Sequence, residues 1–345
     1  MSTGEITDAS SMANPKRGGG HFMDSGLNRM IIWSAALLVV SVVGFAVYYY
    51  VDQSGSGDSG LAGRELAVAE QAVRDDPTNI TNRLVLADVY FARQRYEDAA
   101  TQYEAALAIN AKSTLAHVGL GRALMQSGDF AGASESFQTV IDLSKEEDIS
   151  GNLVQSSYYN LGNIALDQGK PDEAVEHFKQ ATTLERSDAD SWYLLGTAYL
   201  QSGKLDEAIA ALGQAVLFVP NFTEAYEALA GAFDQTGASA GALYARGMAA
   251  YSRGNLGDAA DKLESAIESS PTLAEAHAGL GLVREIQGQK DAAIVAYQQA
   301  LQLKPDDFLA RNGLARLTGA SSGTGLPANH PTAASGEGGE QGVTP

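Results

Sequence analysis

The chain repeats one pattern of small and large side chains with a period of 34 residues, and this period restricts the fold more than any other feature. In the clearest copy, 189–222, apolar residues recur at three- and four-residue intervals on both sides of a Gly203-Lys204 turn. This spacing predicts two amphipathic helices packed antiparallel. Pro220 cannot continue a helix, so the chain turns there into the next copy. Units that bury their apolar faces against their neighbours predict an all-α solenoid.

The packing positions of these copies carry a resemblance to a known family. In 189–222 they are occupied by Trp192, Leu195, Gly196, Tyr199, Ala208, Leu212 and Ala215. This set resembles the tetratricopeptide repeat, which implies a right-handed α-solenoid of tetratricopeptide-type helical hairpins. The predicted units lie near 80–113, 114–147, 155–188, 189–222, 240–273 and 274–307.

Three stretches depart from the regular repeat. Residues 61–76 predict a lone second helix at the start, and 308–317 predict a capping helix, so the predicted solenoid covers 61–317. The stretch 223–239 predicts an odd helix with no second helix before the next unit. Either this helix divides the solenoid, or 240–253 pairs with it and the repeat changes phase. The sequence leaves both alternatives open.

The stretch Met30–Val51 contains no charged residue. As a helix it would be about 33 Å long, enough to cross a bilayer core of about 30 Å. Trp33 lies near one end and Tyr48 to Tyr50 near the other, as aromatic residues do at membrane interfaces. We therefore expect one transmembrane helix before the solenoid.

The orientation of this predicted span follows from the basic residues beside it. Lys16, Arg17 and Arg29 precede the span, whereas only Arg64 lies close after it. Because positive residues stay on the cytoplasmic side, we expect a single-pass membrane protein with a cytoplasmic N-terminus and an extracytoplasmic repeat domain. Residues 1–29, rich in Ser, Gly and Asn, are predicted to be disordered, as is the tail 318–345, and 52–60 reads as a flexible linker.

The charge and the absence of catalytic motifs exclude several functions. The formal net charge of −19 disfavours nucleic acid, whose phosphates it would repel. The chain has no cysteine, and its five histidines form no metal-binding motif. No set of residues converges on a catalytic pattern, so we expect no enzyme activity, no cofactor and no small-molecule substrate.

The resemblance also implies where a partner binds. In a right-handed stack of such hairpins the first helices line a concave face, and the family's ligands commonly lie in that groove. The residue after Trp192 points there, as do those four and seven positions further on. Applied to five units, this rule selects Leu84, Asp88, Phe91, Val118, Arg122, Met125, Tyr159, Asn163, Leu166, Tyr193, Thr197, Leu200, Tyr244, Met248 and Tyr251.

This mainly apolar and aromatic lining suits a peptide with apolar anchors. The alternative is that these side chains pack against the next repeat or the odd helix. Chaperone-type members clamp a C-terminal carboxylate with Lys and Asn on this face. Here Asn163 and Arg122 are present but the lysines are absent.

These features together predict a membrane-anchored protein–protein interaction scaffold that binds a peptide or protein partner in the concave groove. Similar anchored repeat proteins assemble envelope complexes in secretion, cytochrome maturation or cell-wall assembly. The alternative prediction is a chaperone-like holdase for exported unfolded chains. One tight partner would favour the scaffold, and weak binding of many unrelated peptides would favour the holdase.

Overall fold

The computed structural model describes residues 61–319, and within this range the regular secondary structure is α-helical throughout. The predicted all-α class is thereby confirmed. The helices are α1 Leu61–Asp75, α2 Ile80–Ala92, α3 Tyr96–Ile109, α4 Thr114–Ser127, α5 Phe130–Leu143, α6 Gly151–Asp167, α7 Pro171–Leu184, α8 Ala189–Gln201, α9 Leu205–Phe218, α10 Thr223–Thr236, α11 Ser239–Ser252, α12 Leu256–Ser269, α13 Ala274–Ile286, α14 Lys290–Leu303 and α15 Phe308–Thr318.

Several predictions concern other parts of the chain. The predicted disordered N-terminus 1–29, membrane helix 30–51 and linker 52–60 lie outside the described residues, as does the tail from residue 320. Within 61–319, every helix is too short or too polar to cross a bilayer. The boundary between the two units of the chain falls inside α1, between Val68 and Ala69. The right-handed sense of the stack stays a prediction.

Short turns join helices into hairpins, and a glycine makes most of these turns possible. Between α8 and α9, Gly203 has φ 72°, a left-handed conformation that costs glycine least. The amide of Gly203 donates to the carbonyl of Leu200 at 3.1 Å, and the amide of Lys204 donates to the carbonyl of Tyr199 at 2.9 Å. These bonds satisfy carbonyls that the end of α8 would otherwise leave unpaired.

Five hairpins close where a large side chain of the second helix meets a glycine of the first. Leu212 on α9 is fully buried against Gly196 on α8, where an added Cβ would lie 2.6 Å from Leu212 Cγ. Phe178 on α7 meets Gly162 on α6 in the same way, at 2.7 Å. No real Cβ sits that close to another carbon, so glycine permits this approach. The same pairing recurs between Phe137 and Gly121, Leu263 and Gly247, and Tyr297 and Gly281.

The same large side chain also reaches the next hairpin. Tyr103 on α3 packs so tightly against Gly119 on α4 that any Cβ there would overlap its ring. Tyr297 on α14 does the same against Gly313 on α15. Tyr297, which also meets Gly281, therefore fixes both the closure of its own hairpin and the approach of the next helix.

Helix α11 belongs to two hairpins. A turn at Gly237, with φ 76°, joins it to α10. Gly241 on α11 packs against the ring of Phe233 on α10, where an added Cβ would lie 2.8 Å from the ring. Towards its other neighbour, Gly247 on α11 faces Leu263 on α12, also at 2.8 Å. Both alternatives from the sequence therefore hold in part: α11 pairs with the odd helix and also begins the next unit.

A largely buried ion pair attaches the last helix. Arg316 on α15 donates from Nε and Nη2 to the carboxylate of Glu285 on α13, at 3.0 and 2.9 Å. The Tyr297 hydroxyl on α14 donates to the same carboxylate at 2.7 Å. With only 18% and 13% of the arginine and glutamate side chains exposed, three helices share one polar contact. Helix α15 extends through Thr318, the first residue of the predicted disordered tail.

The glycine–leucine contact between α8 and α9 can be tested with two matched substitutions. Gly196→Ala should lower the free energy of unfolding by about 1–2 kcal/mol, because the new methyl group overlaps Leu212. Gly213→Ala on α9 should raise it by about 0.5–1 kcal/mol, since nothing lies within 4 Å of its Cβ position and alanine is the better helix former. Urea denaturation followed by circular dichroism measures both. Equal shifts for the two variants would contradict the packing argument.

Candidate functional site

An open cleft of about 590 Å³ crosses the first helices of three successive hairpins, α2, α4 and α6. We call it the N-terminal cleft. Of the predicted groove residues, it brings together Leu84, Asp88, Val118, Arg122 and Tyr159. The helices hold these side chains at positions that correspond from one unit to the next, so the cleft follows directly from the stacking of the hairpins.

Five further side chains of the cleft were missed by the sequence analysis: Tyr103, Leu115, Leu153, Ser156 and Asn160. Leu115 is 59% exposed, and it lies one turn before Val118 on α4. Ser156 stands in the same relation to Tyr159 on α6. Extending the predicted stripe by three residues towards the start of each helix would have found both.

Two groups on neighbouring helices set the electrostatics of the cleft. The Tyr103 hydroxyl on α3 donates to Asp88 Oδ1 on α2 at 2.5 Å. Burial, followed by this bond to a carboxylate, raises the pKa of Tyr103, so its hydroxyl stays a donor at neutral pH. The guanidinium of Arg122 on α4 lies over the ring of Phe91 on α2, 4.7 Å from its centroid, and this contact orients its charge.

The far wall of the cleft is formed by Tyr159 on α6. Its ring packs edge-to-face on Phe178, with centroids 6.1 Å apart, so its position is fixed by the core of the third hairpin. Burial raises the pKa of Tyr159, while a hydrogen bond with the Asn163 side chain lowers it. The predicted residue Asn163 therefore acts by holding Tyr159.

Other predicted residues on the first six helices and on α8 serve mainly as packing. Met125 and Leu166 are half-buried against the cores of their hairpins. Tyr193 is half-buried, with its ring centroid 5.1 Å from that of Phe222. Thr197 donates from its hydroxyl to the carbonyl of Tyr193 at 3.0 Å, and Leu200 packs half-buried on the same core.

Two of the three predicted groove residues on α11 are buried, which corrects the sequence analysis, and the third, Tyr244, is half-buried. Met248 and Tyr251 are each 1% exposed, and Tyr244 packs its ring edge-to-face on Tyr226 at 6.3 Å. The Met248 sulfur would lie 2.8 Å from a Cβ at Gly279 on α13. The reason is the double pairing of α11, which turns these side chains into the core. For Met248 and Tyr251 the alternative prediction holds, namely that these side chains pack against neighbouring helices.

The cleft offers the chemistry of binding: apolar surface, one guanidinium, one carboxylate and fixed hydroxyl groups. Among residues 61–319, no group of three or more His, Asp or Glu side chains is arranged to hold a metal ion. The arrangement therefore suits a segment of polypeptide with apolar and charged side chains.

Comparison with known proteins identifies the repeat. The sequence pattern of the tetratricopeptide repeat matches residues 84–147, 159–221, 213–274 and 244–308, which together make up more than half of the chain. The last two matches overlap across α11. No curated protein sequence matches the chain.

Three solved structures align with the chain at TM-scores below 0.5. The C-terminal part of a repeat-containing protein from Cytophaga hutchinsonii is 17% identical, with 78% of this chain and 99% of that chain covered and a TM-score of 0.49. Pseudomonas aeruginosa PilF is 16% identical, with coverages of 69% and 97% and a TM-score of 0.40. The Cut9–Hcn1 complex of the APC/C is 16% identical over 77% of this chain, at a TM-score of 0.42, and the match spans 47% of that chain. At these identities the likeness concerns the fold alone.

The raised pKa of Tyr103 predicts how its contribution to stability changes with pH. An unfolded tyrosine ionises near pH 10, whereas Tyr103 in the fold stays neutral above that value. Its stabilisation is therefore fully present below about pH 10 and is lost as pH rises towards the folded pKa. The difference in urea midpoint between the wild type and Tyr103→Phe should stay constant up to about pH 10 and shrink above it. A difference that stays constant above this pH would contradict the assignment.

Proposed function

The chain belongs to the tetratricopeptide repeat family, and from that premise we propose that it is a protein-binding scaffold whose N-terminal cleft holds a peptide segment of a partner protein. The single observation that carries the proposal is the open cleft across α2, α4 and α6, with Leu115 59% exposed at its centre. When an apolar side chain of the partner packs on Leu115, both side chains are removed from water, and this burial supplies the main driving force for binding.

The limited extent of the cleft favours a scaffold over a holdase. The corresponding positions on α11, Met248 and Tyr251, are buried in the core. The N-terminal cleft brings together predicted groove residues of the first three hairpins, which suits one short segment with defined anchors. A holdase needs a longer apolar surface that can adapt to many sequences. We therefore propose the scaffold alone.

The membrane part of the proposal rests on the sequence. We propose that Met30–Val51 anchors the chain as a single-pass helix, with the repeats on the extracytoplasmic side. The partner would then be an envelope protein, and the scaffold would assemble an envelope complex such as those of secretion, cytochrome maturation or cell-wall assembly. The anchor restricts the scaffold to partners at the same membrane.

The cleft can be tested by photo-crosslinking in the native membrane. A photoreactive amino acid at position 115 should give one dominant crosslinked partner, because this side chain lies in the cleft. Position 295 on α14 is the matched control, since Val295 is 57% exposed and lies outside the cleft. The products are identified by mass spectrometry.

The outcomes of this experiment separate the two functions. One partner at position 115 and none at 295 supports the scaffold. A broad set of unrelated exported proteins at position 115 would instead identify a holdase. The same product from both positions would show that the partner does not bind in the cleft.

The proposed topology can be tested with single cysteines, since the chain contains none. Ala108→Cys lies on the exposed end of α3, and Ser10→Cys precedes the predicted span. A maleimide that cannot cross membranes should label position 108 in cells with a permeabilised outer layer, and position 10 only after lysis. The reverse pattern would place the repeats in the cytoplasm and overturn this part of the proposal.

A further inference from the structure

Arg122 is a cation in the N-terminal cleft that forms no ion pair with the carboxylates of residues 61–319. Its state differs from that of the cations in a second cleft, of about 410 Å³, between α10, α11 and α12. There, Arg246 pairs with Asp234, Arg253 with Glu227, and Lys262 with Asp258. The charges of that second cleft satisfy one another, whereas the charge of Arg122 remains available.

The contacts of Arg122 leave its hydrogen-bond donors free. Its guanidinium face lies over the Phe91 ring at 4.7 Å, which holds the group in place without using an N–H donor. The carboxylate that lines the same cleft, Asp88, accepts the Tyr103 hydroxyl. A planar guanidinium with open donors matches the two oxygens of a carboxylate. The free edge of Arg122 is therefore a preformed receptor for an acidic group.

The apolar side chains around Arg122 determine what accompanies that acidic group. On α4, Val118 lies one turn from Arg122 and Leu115 two turns away, or about 10 Å along the helix axis. An extended segment that crosses α4 directs successive side chains to opposite sides. One side then faces Arg122 and the other faces Leu115. The matching pair is an acidic residue next to an apolar one.

We propose, building on the function proposed above, that the cleft recognises a single side-chain carboxylate beside an apolar residue and that Arg122 binds this carboxylate. The net charge of −19 repels a long acidic run at a distance. That repulsion is screened beyond about 8 Å at physiological salt, so a contact pair still forms. The recognised segment is therefore mainly apolar, with one acidic side chain at this position.

The proposal can be tested with random peptides displayed between two fusion partners, so that no peptide has a free carboxyl terminus. Selection against the full chain in detergent should enrich peptides with Asp or Glu next to a large apolar residue. Each is then synthesised with an amidated C-terminus, together with a form carrying Asn or Gln in place of the acid. We expect about tenfold weaker binding of the amide form to the wild type, the effect of losing a charge-assisted hydrogen bond.

Three variants locate the effect. Arg122→Gln should bind the acidic and amide forms equally, because the partner of the carboxylate is gone. Lys290→Gln, which removes a positive charge from an exposed position on α14, should keep the tenfold preference. Leu115→Ser should weaken both forms. The thermal unfolding of Arg122→Gln should match that of the wild type, since its side chain is exposed.

The results distinguish failure of this inference from failure of the proposed function. Peptides that lose affinity for Leu115→Ser but show no preference for the acid would overturn the role of Arg122 and leave the cleft as the binding site. An acid preference that persists in Arg122→Gln would do the same. Peptides insensitive to Leu115→Ser, or no selected peptides at all, would overturn both proposals.

Discussion

The contact between a large side chain and a glycine on the facing helix is the constraint on which the rest of this structure depends. Because Gly196 has no Cβ, Leu212 on α9 packs directly against the backbone of α8, where any larger residue would overlap it. The same large side chain, as Tyr103 shows at Gly119, also sets the approach of the following hairpin. Repetition of one contact thus fixes the positions of α2, α4 and α6, and the cleft exists because these three helices present corresponding faces.

The positions predicted to line a groove differ between the N-terminal hairpins and α11. Along the first three hairpins the exposed face of each first helix stays accessible, and Leu115, Arg122 and Tyr159 share one cleft. At α11 the pattern changes, because Gly241 admits the ring of Phe233 from the preceding helix. There Met248 and Tyr251, at the positions that correspond to Arg122 and Met125 on α4, are each 1% exposed.

The extent of sequence prediction follows from the range of each interaction. The tetratricopeptide resemblance and the all-α class could be predicted from the sequence, since the residues that close each hairpin recur at one spacing. The burial of Met248 could not be predicted, because it depends on the contact with Gly279 on α13 and on the pairing of α11 with two helices. Arg122 was identified as a groove residue from its position. Its orientation depends on Phe91, one helical hairpin earlier, and only coordinates show that contact.

Helix α11 also affects how the array can change in length. In a regular solenoid each unit contacts only its neighbours. Adding or removing one whole period therefore adds or removes one interface between units. Helix α11 contributes to two hairpins at once, through Gly241 and Gly247. Loss of this helix would therefore remove the partners of both α10 and α12. A change of length inside α10, α11 or α12 therefore disturbs two hairpins, whereas a whole period added on either side of this segment disturbs one interface.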